Sequence, residues 1–130
     1  MSFADKSDLI KYRLTRAKET LGEIHLHVEN ELWNTAVNRI YYACFYSVSA
    51  LLLKHNINAT THSGVRQMFG LHFIKTGIIP KESGKFFSDI FDMRQTGDYD
   101  DFVVFDKEDV ISMLIAADKL IIEIENLLSY

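Results

Sequence analysis

The chain has 130 residues, of which 48% are hydrophobic and 25% charged, and its formal net charge is −4. That size and balance fit one packed globular domain over 1–130 and argue against a disordered polar chain. One cysteine, Cys44, sits in an uncharged stretch; this excludes an internal disulfide framework, points to a reducing, cytoplasmic setting, and reads as core.

The net charge hides a segmental polarity. Residues 1–97 carry 12 Lys/Arg against 9 Asp/Glu, whereas 98–130 carry 2 against 9. The N-terminal Met1–Asp8 already holds Asp5, Lys6 and Asp8 and lacks the apolar run of a signal peptide. The first predicted helix follows, with Ile10, Leu14, Ala17, Leu21, Ile24 and Val28 at steps of four and three on one face. Lys6, Lys11, Arg13, Arg16 and Lys18 crowd that helix, and with Asp8 and Glu19 interspersed they read as a solvated face.

Leu32 to Asn56 reads as a second helix, apolar over most of its circumference and therefore central to a bundle. Its Ile40–Leu53 run has no charge, but fourteen helical residues span only ~21 Å, short of a bilayer core, so no membrane association is expected. After a polar break, Thr61 is placed to cap a third helix with Val65, Phe69, His72 and Phe73 inward and Gly77 at its end. Pro80 fits the first turn of a fourth helix bearing Phe86, Phe87, Ile90 and Phe91. The acidic stretch 98–106 contains Phe102-Val103-Val104-Phe105, too apolar for a free linker, and is expected to fold back on the bundle. Asp106 can cap a last helix with Val110, Leu114, Ala117, Ile121, Ile124 and Leu128 on its inner face. The expected class is all-α: an up-and-down four-helix bundle with an additional helix.

Two arginines, 55 residues apart, lie on apolar faces. Arg39 sits between Ala36 and Ala43, flanked by Tyr42 and Tyr46, and Arg94 extends the stripe of Phe87 and Ile90. A guanidinium on such a face needs a partner. A carboxylate of the fold, a second subunit and a phosphate-bearing ligand are the three candidates. Asp98 lies four residues after Arg94, at helical ion-pair spacing, and Tyr99 follows it. A buried polar cluster of Arg39, Arg94, Asp98 and tyrosine hydroxyls would account for these residues structurally. None of the five histidines stands at metal-ligand spacing, so no metal site is expected; His62 stands out among them at a helix start beside Ser63 and Gly64. No phosphate-cradling glycine loop or nucleophile elbow occurs, so no cofactor is expected either.

Asn38-Arg39-Ile40-Tyr41-Tyr42-Ala43-Cys44-Phe45, then Ala50-Leu51-Leu52, then His62-Ser63-Gly64-Val65, then Arg94 with Asp98-Tyr99, together resemble the HEPN domain (higher eukaryotes and prokaryotes nucleotide-binding) over nearly the whole chain. The resemblance implies a bundle similar to the C-terminal domain of kanamycin nucleotidyltransferase and a homodimer. It also implies a partner nucleotidyltransferase, often in a toxin–antitoxin pair. Nucleotide or RNA is the expected ligand, and the expected site is the groove near Arg39, Tyr42, Arg94, Asp98 and Tyr99, with His62 as a further candidate. Many members of the wider superfamily are metal-independent endoribonucleases whose arginine is followed four to six residues later by a histidine. Here Arg94 matches the arginine, but positions 99, 100 and 101 are Tyr99, Asp100 and Asp101. A binding module is therefore the leading expectation, with a divergent ribonuclease centred on Arg94 and a pure assembly module as the alternatives.

Overall fold

The computed structural model describes residues 3–99 and 105–128, with side chains at 5–94 and 105–128. Its helices are α1 (Phe3–Glu29), α2 (Trp33–Lys54), α3 (His62–Phe69), α4 (Lys81–Tyr99) and α5 (Lys107–Leu128), and a single π-helical turn, Gly70–Ile74, continues α3. No strand occurs among the described residues. The expected stripes form the core: Ile10, Ala17 and Ile24 of α1 and Val110, Ala117, Ile121, Ile124 and Leu128 of α5 are buried. Leu14, Leu21, Val28 and Leu114 pack at the edges of these stripes. Helix α2 contributes buried residues on most sides, from Ala36 to Leu52, because α1, α4 and α5 all pack on it.

Cross-helix hydrogen bonds fix the directions. Lys6 near the start of α1 donates to the Lys54 carbonyl at the end of α2, and Lys54 Nζ donates to the Leu127 carbonyl near the end of α5 at 3.0 Å. Ser83 at the start of α4 donates to Glu123 of α5. The four long helices thus run up, down, up and down, with α3 as the additional helix near the end where α2 finishes.

Local chemistry sets the ends. Helix α1 turns into α2 through three residues: Glu31 takes a left-handed φ of 55°, and the Leu32 N–H reaches the His27 carbonyl at 2.8 Å. Asn56 (φ 59°) does the same after α2, with Ile57 N–H on the Leu52 carbonyl at 2.9 Å. Both are Schellman-type ends, which satisfy carbonyls the last turn leaves open. Thr61 caps α3 by accepting the Gly64 N–H at 2.9 Å. Asp106 and Asp109 cap α5 reciprocally, each carboxylate accepting the other's backbone N–H, at 2.8 and 3.2 Å. Pro80 supplies the carbonyl that the Ser83 and Gly84 amides use in the opening turn of α4.

Some expectations need correction. His72 is exposed, not inward: the buried face follows Val65, Phe69 and Phe73 in steps of four, and His72 falls behind it. Helix α2 is slightly shorter than Leu32–Asn56, because Asn56 already has left-handed backbone. The basic face of α1 is not all solvated, since Arg13 is half-buried and donates to the Ser49 carbonyl at 3.3 Å. Of the apolar run after α4, Phe105 is buried in the core; Phe102, Val103 and Val104 lie outside the described residues.

At Gly84 the α4 backbone stands hard against Ile74 of the α3 extension. A Cβ there would stand 2.7–2.8 Å from three side-chain carbons of Ile74, spread over both of its branches, so no rotamer change of Ile74 clears all three. Gly84→Ala should destabilise the fold by ~1–3 kcal/mol despite the better helix propensity of alanine. Chemical denaturation of Gly84→Ala with and without Ile74→Ala checks this: the second change should recover part of the loss, and simple additivity would contradict the close approach.

Candidate functional site

The first half of α2 faces α4 and the start of α3, and the consecutive residues Tyr41 and Tyr42 point about 100° apart around the helix. Tyr41 goes fully into the core. Its ring stacks near Phe87 of α4 at a centroid distance of 6.1 Å, and its hydroxyl lies 2.8 Å from His62 Nδ1. A buried phenol needs such a partner. Burial pushes the Tyr41 hydroxyl well above the usual phenol pKa, with the Arg94 charge pulling it partly back, so it is a neutral hydrogen-bonding group at physiological pH.

Tyr42 is half-buried at the rim, where the two arginines meet. The Arg39 Cζ lies 5.2 Å from the Tyr42 ring centroid and the Arg94 Cζ 5.7 Å from it. Arg94 also stands 5.0 Å from the Tyr41 centroid and donates from Nη1 to the Tyr42 hydroxyl at 3.3 Å. One ring is thus shared by two cations, an arrangement worth about 1–2 kcal/mol for each cation when partly desolvated. Helix α4 is continuous through Tyr99, so the backbone carries Asp98 along the side of Arg94; the side chains of Asp98 and Tyr99 lie outside the described residues.

His62 joins these residues from α3. Its ring stacks on Phe45 at 4.2 Å with planes 12° apart, and it meets Tyr42 edge-on at 5.9 Å. Burial, reinforced by the Arg94 charge, holds its pKa below the usual histidine value, so the imidazole is neutral near pH 7. The bond to Tyr41 allows two arrangements. With Tyr41 O–H donating to Nδ1, Nε2–H is a donor; with Nδ1–H donating to the Tyr41 oxygen, Nε2 is an acceptor able to take a proton. Farther along the same side, Arg66 lies 4.1 Å over Phe91 and pairs with Asp92 at 3.1 Å.

The fold therefore brings Arg39, Tyr42, Arg94 and His62 together. Sequence reasoning did not single out Tyr41 or Phe45 for this site. Phe45 had a readable signal, three residues from Tyr42 and four from Tyr41 on one helix. The Tyr41–His62 pairing had none, because it joins two helices across the α2–α3 connection. Among the described residues no group of three or more His, Cys, Asp or Glu could hold a metal. What the cluster offers is fixed positive charge, ring faces and a neutral imidazole, the chemistry of anion and base recognition.

A neutral His62 has a consequence for stability. Its folded pKa is below the unfolded value of about 6.5, so the unfolded chain binds more protons and stability falls as pH drops through and below that value. Thermal unfolding at pH 7.5 and pH 5 should show a larger acid-induced loss for the native chain than for His62→Gln. Equal losses would contradict a desolvated imidazole.

Comparison with known proteins agrees with this architecture. The HEPN domain model matches residues 10–127. A UPF0332 protein of Thermotoga maritima is 44% identical over 124 residues, covering 95% of this chain and 94% of the relative. Two proteins of Methanocaldococcus jannaschii bearing the name "Putative toxin" are 38% and 41% identical; they cover 78% and 64% of this chain, and 69% and 62% of their own lengths. A match to one helical family model from the first core residue of α1 almost to the end of α5, on a bundle of this topology, means that the chain belongs to the HEPN domain family.

Proposed function

We propose that this chain is the HEPN half of a toxin–antitoxin-type pair, partnered by a nucleotidyltransferase, and that as a homodimer it recognises nucleotide or RNA through Arg39, Tyr42, Arg94 and His62. The observation that carries this reading is the Tyr42 ring with two guanidiniums against it and a neutral imidazole at its edge. Arginines bind phosphate oxygens bidentately, and aromatic faces accept unstacked bases, so the combination suits a single-stranded nucleic acid. The two relatives named as toxins support the pairing. No described helix is long and apolar enough to cross a membrane.

One observation favours a second reading, a metal-independent ribonuclease. No histidine follows Arg94 on α4, yet His62 reaches the same cluster from α3. Cleavage would require a base for the 2′-hydroxyl proton and a cation for the charge on phosphorus. His62 and Arg94 are of the right chemical types.

Binding of a fluorescent oligoribonucleotide, followed over a range of salt, tests the first reading. Arg39→Ala or Arg94→Ala should weaken binding several-fold and lower the slope of log K against log salt by ~0.7 for each phosphate that the variant no longer neutralises. Unchanged affinity and slope in both folded variants would contradict it. The same RNA incubated in EDTA separates the readings: cleavage that disappears in both Arg94→Ala and His62→Gln establishes the nuclease. Co-purification from the native cell should recover a nucleotidyltransferase.

A further inference from the structure

The outer side of α5 carries an apolar stripe that its own fold does not cover. Ile111, Ile115 and Ile122 are exposed, Ile115 by 67%. With Glu108, Asp118 and Glu125 they recur along α5 at steps of three and four, so the six residues share one side of the helix, turned away from the buried Ala117, Leu120 and Ile124. Leu26 of α1 is exposed as well, and it follows Lys18 and Gly22 at steps of four.

The surface has the relief of a packing face. A cleft of about 500 Å³ runs between α1 and α5, lined by Leu21 and Gly22 on one wall and by Ile115 and Ile122 on the other. No atom lies within 4 Å of the position that a Gly22 Cβ would take, so a side chain from outside can enter beside it. Ile115 also borders a second cleft, of about 560 Å³, with Ile111 and Ser112. A ridge of isoleucines beside grooves of this kind is how one helix surface seats another. A contiguous apolar surface left open in this way marks an interaction site.

Charge narrows the occupant. Lys18, Lys107 and Lys119 stand among Glu108, Asp118 and Glu125, three of each sign, and Lys18 pairs with Glu125. A nucleic acid or a strongly charged protein finds no net charge here to match. A balanced face of mixed sign complements itself. The stripe is also spaced symmetrically about a point midway between Ala116 and Ala117: 108 mirrors 125, 111 mirrors 122, and 115 mirrors 118. Two α5 helices crossing antiparallel at that point bring Ile111 against the partner's Ile122 and set the two Ile115 side chains side by side. Asp118 of one copy then comes within ~6 Å, measured along the axis, of the partner's Lys119, so two acids and two bases meet around the two-fold.

We infer that this face takes a second copy of the same chain, with the two α5 helices antiparallel and Ile115 at the centre. The inference rests on the homodimer proposed above and adds the surface through which it forms. None of Arg39, Tyr42, His62 and Arg94 lines either cleft, so pairing through α5 leaves the Tyr42 cluster of each protomer open and complete within one chain.

Sedimentation of the full chain from low to high micromolar concentration tests this, with circular dichroism confirming that each variant is folded. The native chain should sediment as a dimer. Ile115→Glu should raise the dimer dissociation constant at least about a hundredfold, and Ile122→Glu at least about tenfold. Leu71→Glu replaces an exposed apolar residue on the α3 extension, which does not touch α5, and should leave the constant within about twofold. Lys119→Glu gathers four acids at the axis and should weaken pairing about tenfold; adding Asp118→Lys should restore it to within about threefold. A native chain that stays monomeric throughout would overturn both the homodimer and this interface. A dimer that Ile115→Glu and Ile122→Glu leave intact would overturn the interface while the homodimer stands, and failure of the charge exchange to restore pairing would overturn the antiparallel arrangement.

Discussion

The hydroxyl of Tyr41 is the constraint on which the rest depends. Its ring is fully buried against Phe87 and Phe91 of α4, but a phenol buried without a partner would cost several kcal/mol. His62 resolves this, and in doing so it brings the start of α3 onto the face of α2. The Thr61 cap, the stacking of His62 on Phe45 and the path of the α2–α3 connection follow from that docking. So does the neutrality of the imidazole, which is desolvated by the same packing and repelled as a cation by Arg94.

The aromatic run of α2 that holds this hydrogen bond also builds the surroundings of the Tyr42 cluster. Tyr41 turns inward and its sequence neighbour Tyr42 stays at the rim, where Arg39 from its own helix and Arg94 from α4 find the electron-rich ring in place of bulk water. Phe45, one turn along, backs His62 and at the same time lines a cleft between α1 and the α2–α3 connection, which Arg13 also lines. The aromatic run of α2 thus serves packing and cation placement together. That double use explains why Arg39 and Arg94 tolerate partial burial.

Much of the fold was legible because helix periodicity reports which face is buried. The stripes of α1 and α5, the Thr61 and Asp106 caps and the left-handed Gly77 before α4 were all readable from residue type and spacing. Periodicity does not report what lies across an interface. The His62–Tyr41 bond spans 21 residues and two helices, so His62 was readable only as a candidate at a helix start, with no sign that it meets the Arg94 cluster. His72 was misjudged because a three-step and a four-step neighbour of Phe69 both fit an amphipathic pattern, and only packing chooses between them. Arg13 was hidden among four other basic residues of the same helix.

A double-mutant cycle on the unfolding free energy, with Tyr41→Phe, His62→Gln and the pair, tests the central hydrogen bond most directly. A coupling of about 1–2 kcal/mol is expected, because either single change strands the other partner. Single losses that add to within about 0.3 kcal/mol would mean that the hydroxyl and the imidazole do not depend on each other. The docking of α3 would then need another cause.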